Sequence, residues 1–275
     1  MKMISAAFTL VFCAAVCAAE AAPVLTGKFL SGEVWSFSEY KSMATMRFEN
    51  GSFDSDVPMS GDHCAGGYQI EDNTLYMSIR SENMGFLPAG EKKGEVELVL
   101  RDMPSVFHPC ALVDKKSGKP RFWPANVFTP NGKEGCRYEG VEMVAVQRRG
   151  FVKGDSVFLR SAPSLSATPY FCRLLETSES DNPRPVVTKR FLMKGQLLAV
   201  VGRTKDRMTV GNSSDYWYLV IPFMHPKRAD ADLEFGMSAD EKGPFYPNKP
   251  VWMFGKFVEV TKDSAADLLG WKRGY

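Results

Sequence analysis

Apolar and polar residues alternate with a period of two along much of the first half of the chain. Met46 and Phe48 alternate with Arg47 and Glu49, Asn50-Gly51 follows, and Phe53 opens a return segment. Asn-Gly between alternating runs marks a tight hairpin, because both residues accept positive φ. Tyr68 to Glu71, Asp72-Asn73 and Leu75 to Ile79 repeat the device. Leu75, Met77 and Ile79 share one face, with Tyr76 and Ser78 on the other. Gly94 to Leu100 alternates again, and Tyr138 to Val146 sets Val141, Met143 and Ala145 on one side. Phe29, Val34, Trp35 and Phe37 read as an opening half-buried strand. No useful helical period precedes residue 150, and Gly and Pro recur at short intervals. The expectation is an all-β protein whose residues 23–148 form an antiparallel β-barrel or meander.

Lys115 to Gly135 is polar and rich in Gly and Pro, and reads as a long structured loop. It carries Phe122, Trp123 and Phe128, either as a recognition surface or folded back as a lid. Arg148-Arg149-Gly150 reads as a boundary. Beyond it, four short runs stand out: Val157 to Ser164, Met193 to Val201, Tyr216 to Ile221 and Val251 to Val258. Lys194-Gly195 supplies a turn ahead of a strand with Leu197, Ala199 and Val201 on one face and Leu198 and Val200 on the other. A small barrel buries little area, so Trp217, Trp252 and Phe257 are expected to fill it. Pro222 to Pro250 is a long insertion with at most one helical turn, at Asp230 to Glu234. Ser264 to Trp271 fits a short helix capped by Ser264 or Asp263 and stopped by Gly270.

These runs carry a resemblance. Val157-x-Leu159-Arg160 followed by Ser161-Ala162-Pro163-Ser164, then Lys194-Gly195, then Trp217-Tyr218-Leu219-Val220, then Val251-Trp252-Met253-Phe254-Gly255-Lys256-Phe257-Val258 resembles the bacterial SH3-like (SH3b) family in order and character. The departures are the insertions after Ser164 and Ile221, and Val251 in place of the family's usual glycine. The resemblance implies an SH3-like small barrel with long insertions over 149–262, ahead of a short tail at 263–275. It also implies recognition of cell-wall peptide or glycan, or of a protein segment. Phe48 to Phe53 with the hairpin after Gly67 looks, more weakly, like a lipocalin-like barrel. That implies a carrier of a small apolar ligand, against a barrel filled by its own side chains.

Composition, with 44% hydrophobic and 24% charged residues, is that of a globular chain. A net charge of +2 gives no basic field for nucleic acid. Residues 1–22 read as a signal peptide: Lys2, the apolar run Ala6 to Val16, and Ala19-Glu20-Ala21 as a cleavage pattern. Export to the periplasm or cell envelope follows, as a free protein unless Cys17 is lipidated and tethers it to the membrane. In an oxidising compartment Cys64, Cys110, Cys136 and Cys172 allow three complete pairings, with Cys110–Cys136 the preferred one because the two flank one polar loop.

Three separated histidines, His63, His108 and His225, and the lack of C-x-x-C spacing argue against a metal centre. His63-Cys64 and His108 near Cys110 lack a demonstrated third orienting group, so no catalytic set, enzyme activity or cofactor is expected. What remains is binding. Tyr216, Tyr218, Trp252 and Arg160 are the candidate ligand residues, with peptidoglycan or an envelope protein or peptide as partner. Strand alternation puts Tyr216 and Tyr218 opposite Trp217 and makes them the better surface candidates, while Trp252 competes with a core role and Arg160 with a structural ion pair.

Overall fold

The computed structural model describes residues 24–39, 44–56, 63–82, 87, 93–176, 185–189, 191–223, 233–238, 246–247 and 249–270. The expected signal peptide, with Cys13 and Cys17, lies outside them, as do Asp230 to Asp232 of the expected turn and Trp271 of the expected tail helix. The described residues are almost all strand and turn, and they form a closed barrel, one large sheet and a separate two-stranded hairpin. Among them no helix is long and apolar enough to cross a membrane.

The first sheet is a closed antiparallel barrel of eight strands. They are β1 (Trp35–Ser36), β2 (Thr45–Glu49), β3 (Ser52–Asp56), β4 (Cys64–Glu71), β5 (Thr74–Glu82), β6 (Gly94–Asp102), β7 (Cys110–Asp114) and β8 (Pro120–Pro124). Each pairs with the next, and Trp35 opposite Pro124 closes the ring. Asn50 and Gly51 both take positive φ, at 48° and 75°, and Asp72 and Asn73 do so at 47° and 62°, as the hairpin reading required. Trp35, Met46, Phe48, Leu75, Met77, Leu98, Leu112 and Phe122 fill the interior, none more than 2% exposed. An apolar cargo would have to displace them.

Two expectations for this unit are corrected. Phe29 lies not in a strand but in the short helix α1 (Gly27–Gly32), because the Thr26 side chain accepts the Phe29 N–H and caps it. The segment 115–135 is not one loop: Phe122 is the buried centre of β8, while Phe128 packs on the second unit.

The second unit uses β9 (Cys136–Tyr138), β10 (Val141–Val152), β11 (Leu159–Arg160), β12 (Pro169–Glu176), β13 (Pro185–Lys189), β14 (Leu197–Thr204), β15 (Met208–Val210), β16 (Ser213–Asp215), β17 (Trp217–Pro222), β18 (Leu233–Ser238), β19 (Tyr246–Pro247), β20 (Val251–Phe254) and β21 (Val258–Ser264). The order β21-β10-β14-β17-β20-β11 makes a half-barrel, and a 3₁₀ turn at Gly255–Phe257 leads from β20 into β21. The four runs singled out in the sequence thus meet in one sheet, through β11, β14, β17 and β20. The insertions build strands of their own: β12 pairs with β13 and β18, and β18 with β19. The turn expected at Asp230 to Glu234 gives way, from Leu233 onward, to β18.

The unit boundary also moves. The barrel sheet ends at Pro124, and β10 runs through Arg148 to Val152, pairing with β14 and β21. What reads as a break is a β-bulge between Ala145 and Arg148, where Gln147 takes φ 47°.

Both faces of the half-barrel are buried. One carries Val146, Leu198, Val200, Val220, Val251, Met253 and Val258, closed over by Leu159 and Leu192. The other carries Met143, Ala199, Val201, Trp217, Leu219, Trp252 and Phe254. The large aromatics therefore sit on the face covered by other elements. The cover is α2 (Ala266–Leu269), through Ala265 and Leu269, and the β6–β7 connection of the first barrel, through Val106 and Phe107. The helix expected at the tail is present and stops at Gly270 as expected, but it is shorter and its N-cap is Ala265, not Ser264 or Asp263; Ser264 Oγ accepts the Ala266 N–H at 3.1 Å from one residue further out.

The β6–β7 connection ties the two units together. Val106 and Phe107 are 0% and 2% exposed. Gln147 Nε2 donates to the Val106 carbonyl at 2.6 Å, and Thr129 Oγ1 donates to the Ser105 carbonyl at 2.8 Å. Phe107 meets Tyr138 edge-on with ring centres 5.8 Å apart.

Candidate functional site

Two of the four expected ligand residues come together at the end of β17. Tyr216 and Tyr218 are half-buried, on the side away from Trp217, with ring centres 6.5 Å apart in an edge-to-face arrangement. Cross-strand register places Arg203 of β14 opposite Tyr218. The Arg203 guanidinium carbon lies 3.9 Å from the Tyr216 ring centre, and that of Arg207 lies 5.4 Å from it. Such stacking joins a flat apolar face to cationic donors.

The backbone around the patch is fixed. Arg203 Nη1 donates to the carbonyls of Thr204 and Lys205, at 3.0 and 3.2 Å, so one nitrogen anchors the half-buried guanidinium. Thr204 Oγ1 donates to the Asp206 carbonyl and accepts the Trp217 N–H. Asp215 Oδ1 accepts the Tyr216 N–H at 2.8 Å. Asp215 also packs on Gly255, where an added Cβ would stand 2.7 Å from its carboxyl carbon, and the Gly255 N–H donates to the Tyr216 carbonyl. The patch is thereby locked to the 3₁₀ turn. Burial first, and then the Asp215 charge, raise the Tyr218 hydroxyl above its usual range, so it stays a hydrogen-bond donor at neutral pH.

The other two expected residues are placed differently. Trp252 is 1% exposed and belongs to the core between the units, so it is corrected from contact to core residue. Arg160 lies opposite Trp252 across β20 and β11; its Nη1 donates to the Ala167 carbonyl at 2.9 Å and its guanidinium stands 5.9 Å from the Phe158 ring. It braces the loop before β12 and is not part of the tyrosine patch. Arg203 and Arg207 were not legible as site residues, because only the β14–β17 register brings them to the tyrosines.

The expected Cys110–Cys136 disulfide is corrected as well. None of Cys64, Cys110, Cys136 and Cys172 is in a disulfide. Cys110 points into the first barrel and Cys136 into the core between the units, so flanking one loop in sequence did not put them side by side.

The His108 and Cys110 pair is set against thiolate chemistry. Burial, with Asp102 and Glu33, pushes the Cys110 thiol up to about 11, and burial pushes His108 down to about 4. An activated thiol needs both shifts reversed. The His108 Nδ1 is 2.8 Å from the Val127 carbonyl, and the ring stacks on Phe128 at 5.7 Å. Among the described residues no group of His, Cys, Asp and Glu could hold a metal ion.

No family model, curated protein or solved structure matches this chain. Its class therefore rests on its own geometry: an all-β protein of two joined units, presenting a fixed aromatic and cationic patch.

Proposed function

We propose that the chain is an exported binding protein of the bacterial cell envelope, and that its second, SH3-like unit recognises a carboxylate-bearing peptide of the cell wall. The observation that carries this reading is the Tyr216–Tyr218 pair with Arg203 stacked 3.9 Å from the Tyr216 ring centre. Tyrosines offer a rigid apolar surface at low entropic cost, and arginine forks pair with carboxylates. The signal-like residues 1–22 support export, and the four-part SH3-like pattern supports the cell wall as the source of the peptide. Among the readings for this patch, the stacked Arg203 guanidinium favours a carboxylate-bearing ligand over a neutral glycan. The carrier reading of the first barrel is set against its filled interior.

The test is retention of the whole chain on purified peptidoglycan. Tyr218→Ala and Arg203→Ala should each cut retention several-fold at unchanged circular dichroism, and added salt should weaken the wild type. Equal retention of wild type and both variants removes the site.

A further inference from the structure

The first barrel also has a groove on its outer wall. It has a volume of about 560 Å³ and spans β4, β5 and β6. Two cross-strand rows of outward residues line it: Gly67, Ser78 and Glu95 form one, Gln69, Tyr76 and Glu97 the other. Between them runs the row Tyr68, Met77 and Val96, whose side chains turn inward to the barrel core, so its backbone makes the floor. Gly67 widens the floor because it has no side chain to fill it.

The charges around this groove balance. Glu95 and Glu97 are exposed carboxylates. Lys115 Nζ lies 2.8 Å from Glu97 Oε2 and 5.8 Å from the Tyr76 ring centre. Arg80 reaches over the glycine, where an added Cβ at Gly67 would stand 3.5 Å from its Nη2. A cationic ligand would face Arg80 and Lys115, and an anionic one would face Glu95 and Glu97. The set suits a ligand that is uncharged, donates and accepts hydrogen bonds equally, and has a flat C–H face to lay on one tyrosine ring. A sugar has those properties.

We infer that this outer groove is a second binding site, distinct from the tyrosine patch, and that it takes a neutral oligosaccharide with one pyranose ring on Tyr76. The site is independent of the proposed peptide recognition, since it uses other residues on the other unit.

The test is frontal affinity chromatography or calorimetry of the whole chain with short oligomers of N-acetylglucosamine and of glucose, alongside spermine and polyglutamate. Wild type should bind at least one neutral oligomer and neither charged probe. Tyr76→Ala should weaken binding about three- to tenfold, the scale of one ring contact, while Tyr76→Phe retains most of it. Gly67→Leu, at a position with no unusual φ, should fill the floor and abolish binding with the same thermal stability. Tyr218→Ala should leave it unchanged. Binding of none of the neutral oligomers, preference for spermine or polyglutamate, or unchanged binding by both Tyr76→Ala and Gly67→Leu would each overturn the inference.

Discussion

Gly202 is the seat on which the first unit docks against the second. An added Cβ there would stand 2.6 Å from Val106 Cγ2, 2.7 Å from Met143 Cε and 3.2 Å from the Val144 carbonyl. The Met143 methyl can swing aside, but Val106 is branched and fully buried, and the carbonyl belongs to the paired strand β10. Gly202→Ala is thus an overpacking change, expected to cost about 1–3 kcal/mol. Val106→Ala removes two buried methyls at ~0.8 kcal/mol each; with the cavity left behind, the loss is about 2 kcal/mol.

Independent effects would sum to about 3–5 kcal/mol in the double variant. The two changes meet at one point, however, and trimming Val106 opens the space that the new methyl needs. Gly202→Ala with Val106→Ala should therefore be no less stable than Val106→Ala alone, with a coupling of about 1–3 kcal/mol. Equilibrium urea unfolding followed by tryptophan fluorescence reads this directly, since Trp217 and Trp252 lie in the same core. The expected signature is a shift in midpoint at constant slope. Strict additivity would mean that Val106 does not sit on Gly202 in solution, and the described joint between the units would be wrong.

Other consequences follow from the buried titrating groups and the tight turns. His108 falls from 6.5 to about 4 on folding, chiefly through burial, so the unfolded chain binds its proton more readily. The stability it confers is complete above about pH 6.5 and is lost as pH falls toward 4, by about 3 kcal/mol. His108→Gln, which can still donate to Val127, should flatten that acid limb of a pH–stability curve; Glu39, raised by burial, acts with the opposite sign. Cys110 and Cys172, raised to about 11 and about 12, should resist Ellman's reagent at pH 8 in the native protein and react on unfolding. The same thiols should make stability decline as pH rises from about 9 toward 11. Gly66→Ala would drive a Cβ into the Ser78 carbonyl of the bulged β4–β5 pair and to 2.7 Å from the ring of Phe53, which is buried on the neighbouring strand β3. It should cost at least the ~1–3 kcal/mol of an overpacked core, read as a loss of melting temperature.

Period-two alternation and turn chemistry are local properties, and they were enough to determine a good deal of this protein. The hairpins at Asn50-Gly51 and Asp72-Asn73, the two opposite faces of Leu197 to Val201, the short tail helix and the all-β class follow from residues within a few positions of one another. The strands of the last unit were also legible, because Leu197 to Val201, Trp217 to Ile221 and Val251 to Phe254 are short apolar runs bounded by turns. What lay beyond the sequence depends on contacts between distant segments. The bulge at Gln147 made the middle of β10 look like a boundary. The covering of the half-barrel by Val106 and Phe107 turned Trp252 from a surface candidate into core. The β14–β17 register brought Arg203 to the tyrosines, and the meeting of β4, β5 and β6 set Tyr76 between two carboxylates and two cations. Local pattern determines which face a side chain takes; only tertiary packing decides whether that face meets water, a ligand or another sheet.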